Sequence, residues 1–464
     1  MKKLKLYNSL SNTLEDFIPI NAGNVRMYSC GPTVYASPHI GNARPLVVFD
    51  ILYRVLRRLY ANCVTYVRNI TDVDDKINAR AKLENISIGE LTTAVTAEFH
   101  KNLKLINVLP VTHEPRATDH ISEMLSLIDM LRANGFAYEA EGHVLFRVKK
   151  MAQYGMLSKR SVDDMIAGSR VEVAAYKEDP MDFVLWKPSQ DGDPAWDSKY
   201  GLGRPGWHIE CSAMSHKYLG EQFDIHTGGQ DLMFPHHENE LAQNFGAFGC
   251  IMANYWIHNG MLLVDNQKMS KSLGNIISLD HILQKYDGEV IRYVLLSTHY
   301  QKTLNWTDQS VNHALQALDR LYGALDNTNA ANTSGHESSP QINSPVLDAL
   351  CANLNTPLAL KYLHGLADMI YKSCDADEIN RLGHLLRQEA EILGLLQKNS
   401  SNWFRNSSAE LDENEIQKLI AEREKAKMEK NFLLADEIRA KLLKSNIKIE
   451  DTRDGTIWKF LRNH

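Results

Sequence analysis

The residues best suited to chemistry fall in two short segments that are far apart in the chain. Lys268-Met269-Ser270-Lys271-Ser272 sets two lysines among small hydroxyl residues, and ammonium groups, hydroxyls and exposed amides all bind phosphate. Pro38-His39-Ile40-Gly41-Asn42 lies between a predicted strand and a predicted helix, where helix amides and the helix dipole favour anions. Gly41 lets a nucleotide approach the backbone closely, and His39 can donate a hydrogen bond to a phosphate. Together the segments predict a triphosphate held between two distant parts of the chain.

Three further segments carry side chains that bind metal ions. Cys30 ends a strand-like stretch, Cys211 lies in residues 206–211, and His236 and Glu240 are one turn apart if residues 235–240 begin a helix. Two thiolates, an imidazole and a carboxylate suit tetrahedral Zn²⁺. Spacing alone leaves alternatives open, because either cysteine can be an ordinary buried thiol and His237 can replace His236 as ligand. The metalloprotease pattern H-E-x-x-H is not met.

The elements that must position these residues follow from periodicity. Residues 24–31 predict a buried strand, residues 46–59 place apolar side chains at helical spacing, and residues 64–70 predict a β-branched strand. Strand, helix and strand form a βαβ unit, which implies an α/β fold with a Rossmann-like parallel sheet. Because ligands bind such sheets at the carboxyl ends of the strands, Cys30 and His39 both fall at the expected edge.

The rest of the chain departs from this alternation in two places. Residues of about 115–205 interrupt it and predict an insertion, the sheet pattern resumes near residues 223–226, and the chain is mostly helical from about 280. Polar stretches at 327–345 and near 398–408 predict linkers. Residues 415–464 hold 12 Lys/Arg against 9 Asp/Glu. A solvated helical face and an RNA contact explain this basic excess equally well.

Bulk composition narrows the class of protein. A chain of 464 residues suggests two to four domains. Six cysteines without a C-x-x-C pair do not form a disulfide framework and fit a reducing compartment. The apolar runs are shorter than a membrane span, and the N-terminus lacks the apolar run of a signal peptide. A cytoplasmic protein is expected, and the net charge of −6 argues against general affinity for nucleic acids.

Residues 39–42 and 268–272 resemble the two signature motifs of class I aminoacyl-tRNA synthetases, with Asn42 where a histidine is often found. Residues 28–35, 206–214 and 228–240 resemble the cysteinyl-tRNA synthetase family, and the similarity covers nearly the whole chain. The resemblance implies ATP-dependent formation of cysteinyl-adenylate and pyrophosphate, followed by transfer of cysteine to the 3′ end of tRNA(Cys). Catalysis would be mostly positioning and electrostatics.

The resemblance also implies roles for individual residues. It implies one Zn²⁺ per chain, Mg²⁺ with ATP, and these zinc ligands: Cys30, Cys211, His236 and Glu240. It implies that His39, Lys268 and Lys271 are catalytic and bind ATP, together with Gly41 and Asn42 of the first motif. Gly229 and Asp231 are expected to meet the adenosine ribose, because a carboxylate can accept hydrogen bonds from its hydroxyls. Trp207 and His226 are expected to wall the amino-acid pocket, although each can equally be ordinary core.

Zinc explains how such an enzyme selects cysteine. A metal ion facing the pocket can take the substrate sulfur as a further ligand, whereas serine offers a harder and far less acidic hydroxyl. A contact that the competitor lacks gives discrimination of roughly 10⁴ or more, so no editing domain is needed. The insertion is therefore not expected to edit.

The family architecture predicts a division of the chain into five parts. They are a split Rossmann catalytic domain (1–114 and 206–265), a connective insertion (115–205), a lysine-loop and stem-contact region (266–315), a helical bundle (316–400) and a small anticodon-binding domain (405–464). Residues 435–439 and 450–458 resemble the ending of the family. A tRNA base is expected to stack on Trp458, although Trp458 can also be core of the small domain. A monomer is the family expectation.

Three other functions remain open on the sequence. A ligase that passes cysteine to an amino sugar would share both the signature and the zinc residues, but would not need the basic C-terminal part. A nucleotidylyltransferase shares the His-Ile-Gly element without needing a thiol-selective metal. A catalytically inactive, zinc-stabilised RNA-binding protein would not need His39, Lys268 and Lys271.

Overall fold

The computed structural model describes residues 2–159, 174–270, 272–328, 344–404, 413–445, 447–452 and 455–460. The chain forms two compact units. One comprises Met1–Val311, Pro340–Tyr362 and Ile392–Leu395, and the other comprises Asn312–Ser339, Leu363–Glu391 and Leu396–His464. The five-part division inferred from the family stays a prediction. Within the described ranges, every helix is too short or too polar to cross a bilayer.

A four-stranded parallel sheet forms the centre of the first unit, with strand order β10-β9-β3-β4. Its members are β3 (Val25–Ser29), β4 (Val64–Arg68), β9 (Phe223–Gly229) and β10 (Ala253–Asn259). Nearly all of their side chains are buried, as a parallel sheet covered by helices on both faces requires. The α/β prediction is therefore confirmed, and the predicted strands at 24–31 and 64–70 form adjacent members of the sheet.

Three helices connect or flank these strands and carry residues of the site. The first helix (Ile40–Leu59) joins β3 to β4, the cysteine helix (Trp207–Leu219) precedes β9, and the glutamate helix (Glu238–Phe248) joins β9 to β10. Each begins at the carboxyl end of a strand or leads into a neighbouring one. The signature residues and the metal-binding residues thereby meet at one edge of the sheet.

The predicted insertion contains an antiparallel sheet of its own, with order β5-β6-β7-β8. Its strands are β5 (Ala137–Ala140), β6 (His143–Phe146), β7 (Phe183–Pro188) and β8 (Gly203–Pro205). The helix Ile121–Ala133 precedes them. Buried Leu127, Phe146 and Trp186 share one apolar core with Ile209 and Cys211 of the cysteine helix. The insertion is thus packed directly against an element that carries a predicted metal ligand.

Short strands and further helices complete the fold. The hairpin β1 (Lys5–Asn8) and β2 (Thr13–Asp16) is antiparallel, and a three-stranded sheet has the order β12-β11-β13. Its strands are β11 (Leu262–Val264), β12 (Gln267–Lys268) and β13 (Leu304–Trp306). The remaining α-helices in the described residues up to 404 are Asp75–Glu84, Ile88–Leu105, Leu279–Lys285, Gly288–Leu296, Asp308–Asp326, Pro345–Cys351, Thr356–Lys372, Ala376–Ile392 and Ser400–Phe404.

The C-terminal segment has a small core of its own within the second unit. Two helices, Glu413–Met428 and Phe432–Lys444, pack with the hairpin β14 (Ile447–Thr452) and β15 (Gly455–Phe460). Their buried residues are Ile416, Ile420, Ile438, Leu442, Ile447 and Ile449. Arg423 adds a bidentate pair to Asp451, with N–O distances of 2.9 and 3.0 Å. This geometry fixes β14 against the first of the two helices.

Candidate active site

A single cavity collects most of the predicted residues at the carboxyl ends of β3, β9 and β10. Its volume is about 420 Å³, within the range of small-molecule sites. The cavity is lined by residues from both signature segments, from the predicted metal cluster and from the loop after β9, among them Cys30, His39, Gly229, Asp231 and Lys268. The sheet edge predicted from the sequence is therefore where the cavity lies.

His39 and Asn42 cap the first helix by reciprocal hydrogen bonds. The backbone N–H of Asn42 donates to His39 Nδ1 and the backbone N–H of His39 donates to Asn42 Oδ1, each at 3.2 Å. Burial lowers the pKa of His39, although Asp231 opposes the effect, so the ring is neutral near pH 7. Because Nδ1 accepts, the proton of the neutral ring lies on Nε2. His39 can therefore donate from Nε2 to an anion at the helix N-terminus.

The described residues of the lysine loop, 268–270 and 272–277, lie beside the start of the first helix. A Cβ built on Gly41 would stand 2.6 Å from Cε of Met269, so the absence of a side chain at 41 permits this packing. Asn275 holds the loop together, since its Oδ1 accepts from the Ser270 backbone at 2.9 Å. Lys268 ends β12, is exposed and lines the cavity. Lys271 lies outside the described residues.

The four predicted metal ligands come together beside the same cavity. Their ligand atoms lie within 4.8 Å of one another. Cys30 Sγ is 3.6 Å from Cys211 Sγ and 3.2 Å from Glu240 Oε1, which is 3.1 Å from His236 Nε2. A tetrahedral ion with zinc–sulfur bonds of about 2.3 Å would separate two thiolates by about 3.8 Å. The spacing and the chemistry of this donor set therefore fit Zn²⁺.

A second set of donors overlaps the first. The ligand atoms of Cys30, His226, His237 and Glu240 also lie within 4.8 Å of one another. The distances therefore allow either His236 or His237 as the imidazole ligand. Each imidazole has a further partner: His236 shares a hydrogen bond with Nδ1 of His208 at 2.9 Å, and His237 Nδ1 shares one with His258 Nε2 at 2.8 Å. Such partners fix the orientation and tautomer of a ligating ring.

Burial controls the protonation of the cluster. It raises the pKa of the thiols of Cys30 and Cys211 and lowers the pKa of His236 to about 3. Burial also opposes ionisation of Glu240, but His226 and His236 hold the pKa of its carboxyl below the usual value. A bound cation would reverse the effect on the thiols, because a coordinated thiol loses its proton. Neutral imidazoles and an ionised carboxylate are the protonation states that a metal ligand needs.

Trp207 and His226, the predicted walls of the amino-acid pocket, occupy different surroundings. Trp207 is 41% exposed, lines the cavity and stacks on the ring of His236 with centroids 4.2 Å apart. His226 is fully buried between Trp256 and Glu240, and its Nε2–H donates to Glu240 Oε2 at 2.9 Å. The contacts of His226 orient a predicted metal ligand. Its role in contacting the substrate stays a prediction.

Trp458 belongs to β15 in the second unit. Its side chain is partly buried and packs against the small core formed by the two C-terminal helices and β14. Its contact with the core fits a structural role, and its remaining accessible surface fits stacking of a tRNA base. Base stacking on Trp458 therefore stays a prediction.

Several residues that shape the site were not identified from the sequence. Asn69 Oδ1 accepts from the Gly31 backbone at 2.8 Å and from the Tyr28 hydroxyl at 3.2 Å, which fixes the chain on both sides of Cys30. His208 and His258 orient other histidines, and Arg44 is a buried arginine on the first helix. The clustering of histidines in residues 208–258 was the available signal for two of them. An asparagine after a strand offers no comparable signal.

Comparison with known proteins agrees with this assembly. The family model described as tRNA synthetases class I (C) catalytic domain matches residues 16–316. The chain is 51% identical over 458 residues to the cysteine–tRNA ligase of Paramagnetospirillum magneticum, which covers 98% of this chain and 99% of that protein. It is 49% identical to the cysteine–tRNA ligase of Rhodospirillum rubrum, again over 98% of this chain and 99% of that protein.

Solved structures share the fold at much lower identity. The structure of Mycobacterium tuberculosis methionyl-tRNA synthetase in complex with methionyl-adenylate has a TM-score of 0.54 at 15% identity, and the match covers 80% of this chain and 89% of that one. A putative arginyl-tRNA synthetase from Campylobacter jejuni has a TM-score of 0.51 at 14% identity, covering 82% and 94%. At these identities the likeness concerns the Rossmann-like architecture.

Proposed function

Because the chain belongs to the cysteine–tRNA ligase family of class I aminoacyl-tRNA synthetases, we propose that it activates L-cysteine with ATP and transfers it to the 3′ end of tRNA(Cys). Activation would form cysteinyl-adenylate and release pyrophosphate. One observation carries the proposal: two cysteines, a histidine and a glutamate lie beside the cavity that also holds His39 and Lys268. A thiol-selective site and a triphosphate site thus share one chamber.

The nucleotide half of the reaction would depend on positioning and charge. Nε2–H of His39 would donate to a phosphate oxygen whose negative charge increases in the transition state, and the N-terminus of the first helix would favour the same charge. Lys268 and Lys271 would close over the pyrophosphate from the opposite side, with Mg²⁺ bound to the ATP. Gly229 would allow close approach of the ribose, and the carboxylate of Asp231 would accept hydrogen bonds from the ribose hydroxyls. Gly41 and Asn42 complete the proposed ATP site.

Amino-acid selection would reside in the metal cluster. Cys30, Cys211, His236 and Glu240 would hold Zn²⁺, which when bound supplies a soft coordination position for the substrate thiolate. The carboxylate of Glu240 would be kept ionised and oriented by His226, and Trp207 would cover the ring of His236 from the cavity side. Serine lacks a soft ligand, and this difference would replace an editing step.

tRNA as the acceptor is supported by the extent of the match to cysteine–tRNA ligases, which covers 98% of this chain. A transfer to an amino sugar would leave the basic C-terminal part without a role. We propose that the C-terminal domain reads the anticodon with Trp458. The protein would act as a monomer in the cytoplasm, where reducing conditions would keep its six unpaired cysteines as thiols.

Cysteine-dependent exchange of pyrophosphate into ATP tests the proposal. We expect exchange with cysteine and at least about 10⁴-fold less with serine at equal concentration, and we expect a zinc chelator to abolish the cysteine reaction. Charging of tRNA and of an amino sugar, measured in parallel, separates the two acceptors. Equal exchange with serine would contradict selection by the metal, and absence of exchange with either amino acid would support an inactive RNA-binding protein instead.

A further inference from the structure

Arg44 is a fully buried arginine on the first helix, five residues after His39. Arginine is among the residues least often buried without a charged partner, so its position requires a reason. Burial lowers the pKa of Arg44 to about 10, and the guanidinium therefore still carries its charge near neutral pH. A charge placed inside the protein at such a cost indicates a specific task.

The partners of Arg44 are main-chain carbonyl groups. Its Nη1 donates to the carbonyl oxygens of Gly260 at 2.7 Å and Met261 at 2.6 Å. Its Nη2 donates to those of Lys302 at 2.6 Å and His299 at 3.3 Å. The planar guanidinium fork thus joins the first helix to two other segments at once, by charge-assisted hydrogen bonds.

The carbonyls of Gly260 and Met261 lie where the chain leaves the central sheet for the lysine loop. Gly260 and Met261 follow β10 and line the cavity, and β11 begins at the next residue, Leu262. β11 pairs with β12 so that Leu263 faces Lys268. Arg44 therefore holds the strand that positions the first lysine of the loop.

The other end of the lysine loop is also attached to the first helix. The backbone N–H of Ile40 donates to the carbonyl of Ile277 at 3.0 Å, and that of Leu279 donates to the carbonyl of Pro38 at 2.8 Å. The loop is consequently fixed at both ends to the first helix and the residues directly before it. Arg44 makes the attachment at the start of the loop.

We propose that Arg44 is a positioning residue that sets Lys268 and the wall at Gly260–Met261 relative to His39. It acts through main-chain carbonyls and need not touch ATP. Its loss shifts the two phosphate-binding segments with respect to each other and weakens nucleotide binding, whereas the metal cluster keeps its own contacts. The proposal rests on the ATP-dependent reaction proposed above.

Arg44→Lys tests the proposal, because lysine keeps the charge but cannot form the planar fork. Because one charge-assisted hydrogen bond is lost, we expect the dissociation constant for ATP to rise about tenfold or more. Calorimetry without cysteine measures this constant. The KM for cysteine in pyrophosphate exchange is expected to stay within about twofold, since that exchange is run at saturating ATP. Arg292→Lys is the control for loss of a buried guanidinium, because Arg292 is also fully buried and binds the carbonyls of Leu393, Ile106 and Asn107 together with the carboxylate of Asp50, none of which lines the cavity.

Gly260→Ala perturbs the same wall without changing Arg44. A Cβ at 260 would stand 2.7 Å from the carbonyl oxygen of Lys302 and 2.9 Å from that of Gln301, so the segments must separate. We expect the same selective weakening of ATP binding. Unchanged ATP affinity in both variants, or an equal loss in Arg292→Lys at similar melting temperature, would overturn the role of Arg44. Normal ATP affinity without cysteine-dependent exchange in the unmodified protein would count against the proposed function instead.

Discussion

Cys211 provides a decisive single-residue test of the metal site. Its Sγ lies 3.6 Å from that of Cys30, and a serine hydroxyl at this position is a much weaker zinc ligand than a thiolate. We expect Cys211→Ser to lose bound zinc and to reduce cysteine-dependent pyrophosphate exchange by more than about 100-fold, since even partners outside the ligand shell are worth 10–100-fold. Zinc content by metal analysis and exchange activity are expected to fall together.

Cys63→Ser is the control for that experiment, because Cys63 is an exposed free cysteine and lies in neither group of candidate ligands. It should keep both zinc and activity. Full cysteine-dependent exchange by a zinc-free Cys211→Ser protein would remove the metal from the mechanism.

The roles of single residues were predictable where their chemistry is rare, and were not predictable where the role depends on the neighbours that packing brings together. Two cysteines, a histidine and a glutamate suit zinc, but the resemblance to the family, rather than their spacing alone, singled out these four residues. His226 was expected either at the pocket wall or in the core, and because β9 is buried on both faces, only packing against Trp256 fixes which neighbours its ring meets. Arg44 was missed because an arginine in a sequence predicts a surface position. Its carbonyl partners come from residues more than 200 positions away.

At the scale of elements, Asp50 joins the first helix to the helix Gly288–Leu296. Its Oδ1 accepts from the Leu109 backbone at 2.8 Å, and Arg54 donates to its Oδ2 at 2.8 Å. Arg292 forms an ion pair with the same carboxylate, and both partners are at most 1% exposed. The helix bearing His39 is thus held by an ionic contact well away from the cavity.

Asp50→Asn should therefore destabilise the protein strongly. It leaves the charge of Arg292 buried without its carboxylate, which costs about 3–5 kcal/mol. Denaturant unfolding would measure the loss. Asp16→Asn is the control, because Asp16 pairs with Lys3 and Lys5 on the surface, where such pairs contribute less than about 1 kcal/mol. A similar small effect of both substitutions would show that the buried pair is not needed for stability.

The same carboxylate predicts how stability depends on pH. Burial opposes its ionisation, but the charges of Arg292 and Arg54 more than compensate and lower the pKa of Asp50 in the folded chain. The unfolded pKa is about 3.9, so the stabilisation is complete above about pH 4 and is lost as the pH falls through the lower folded pKa. The melting temperature of the unmodified protein should fall more steeply in that acidic range than that of Asp50→Asn. Parallel melting curves would contradict this assignment.

Elements were predictable where one local pattern dominated. β-branched residues gave β4, and apolar residues at helical spacing gave the first helix. The start of that helix was not predictable in detail, because the reciprocal cap between His39 and Asn42 depends on how the two side chains are oriented. A contact between Asn42 and ATP stays a prediction. The antiparallel sheet of the insertion was also missed. Its pairing of residues 144–146 with 183–186 joins segments that are distant in sequence.

At the scale of the whole molecule, the C-terminal segment is a candidate for removal without damage to the catalytic chamber. Its apolar residues pack among themselves around Ile416, Ile438 and Leu442. Trp403, by contrast, donates from its indole to Asp319 at 2.8 Å and stacks on Tyr322. A truncation after Phe404 therefore keeps Trp403 and removes the small core as a unit.

We expect this truncated protein to catalyse cysteine-dependent pyrophosphate exchange within about twofold of the full chain and to charge tRNA(Cys) at least about 100-fold less efficiently. Stacking of a base on an aromatic ring is worth about 1–3 kcal/mol, so the loss of the proposed stack on Trp458, together with phosphate contacts from the basic residues of 415–464, would account for a change of that size. A short RNA hairpin carrying the acceptor stem alone is the matched substrate, because it has no anticodon. Both proteins should charge the hairpin equally. Undiminished charging of full tRNA by the truncated protein would show that recognition lies elsewhere in the chain.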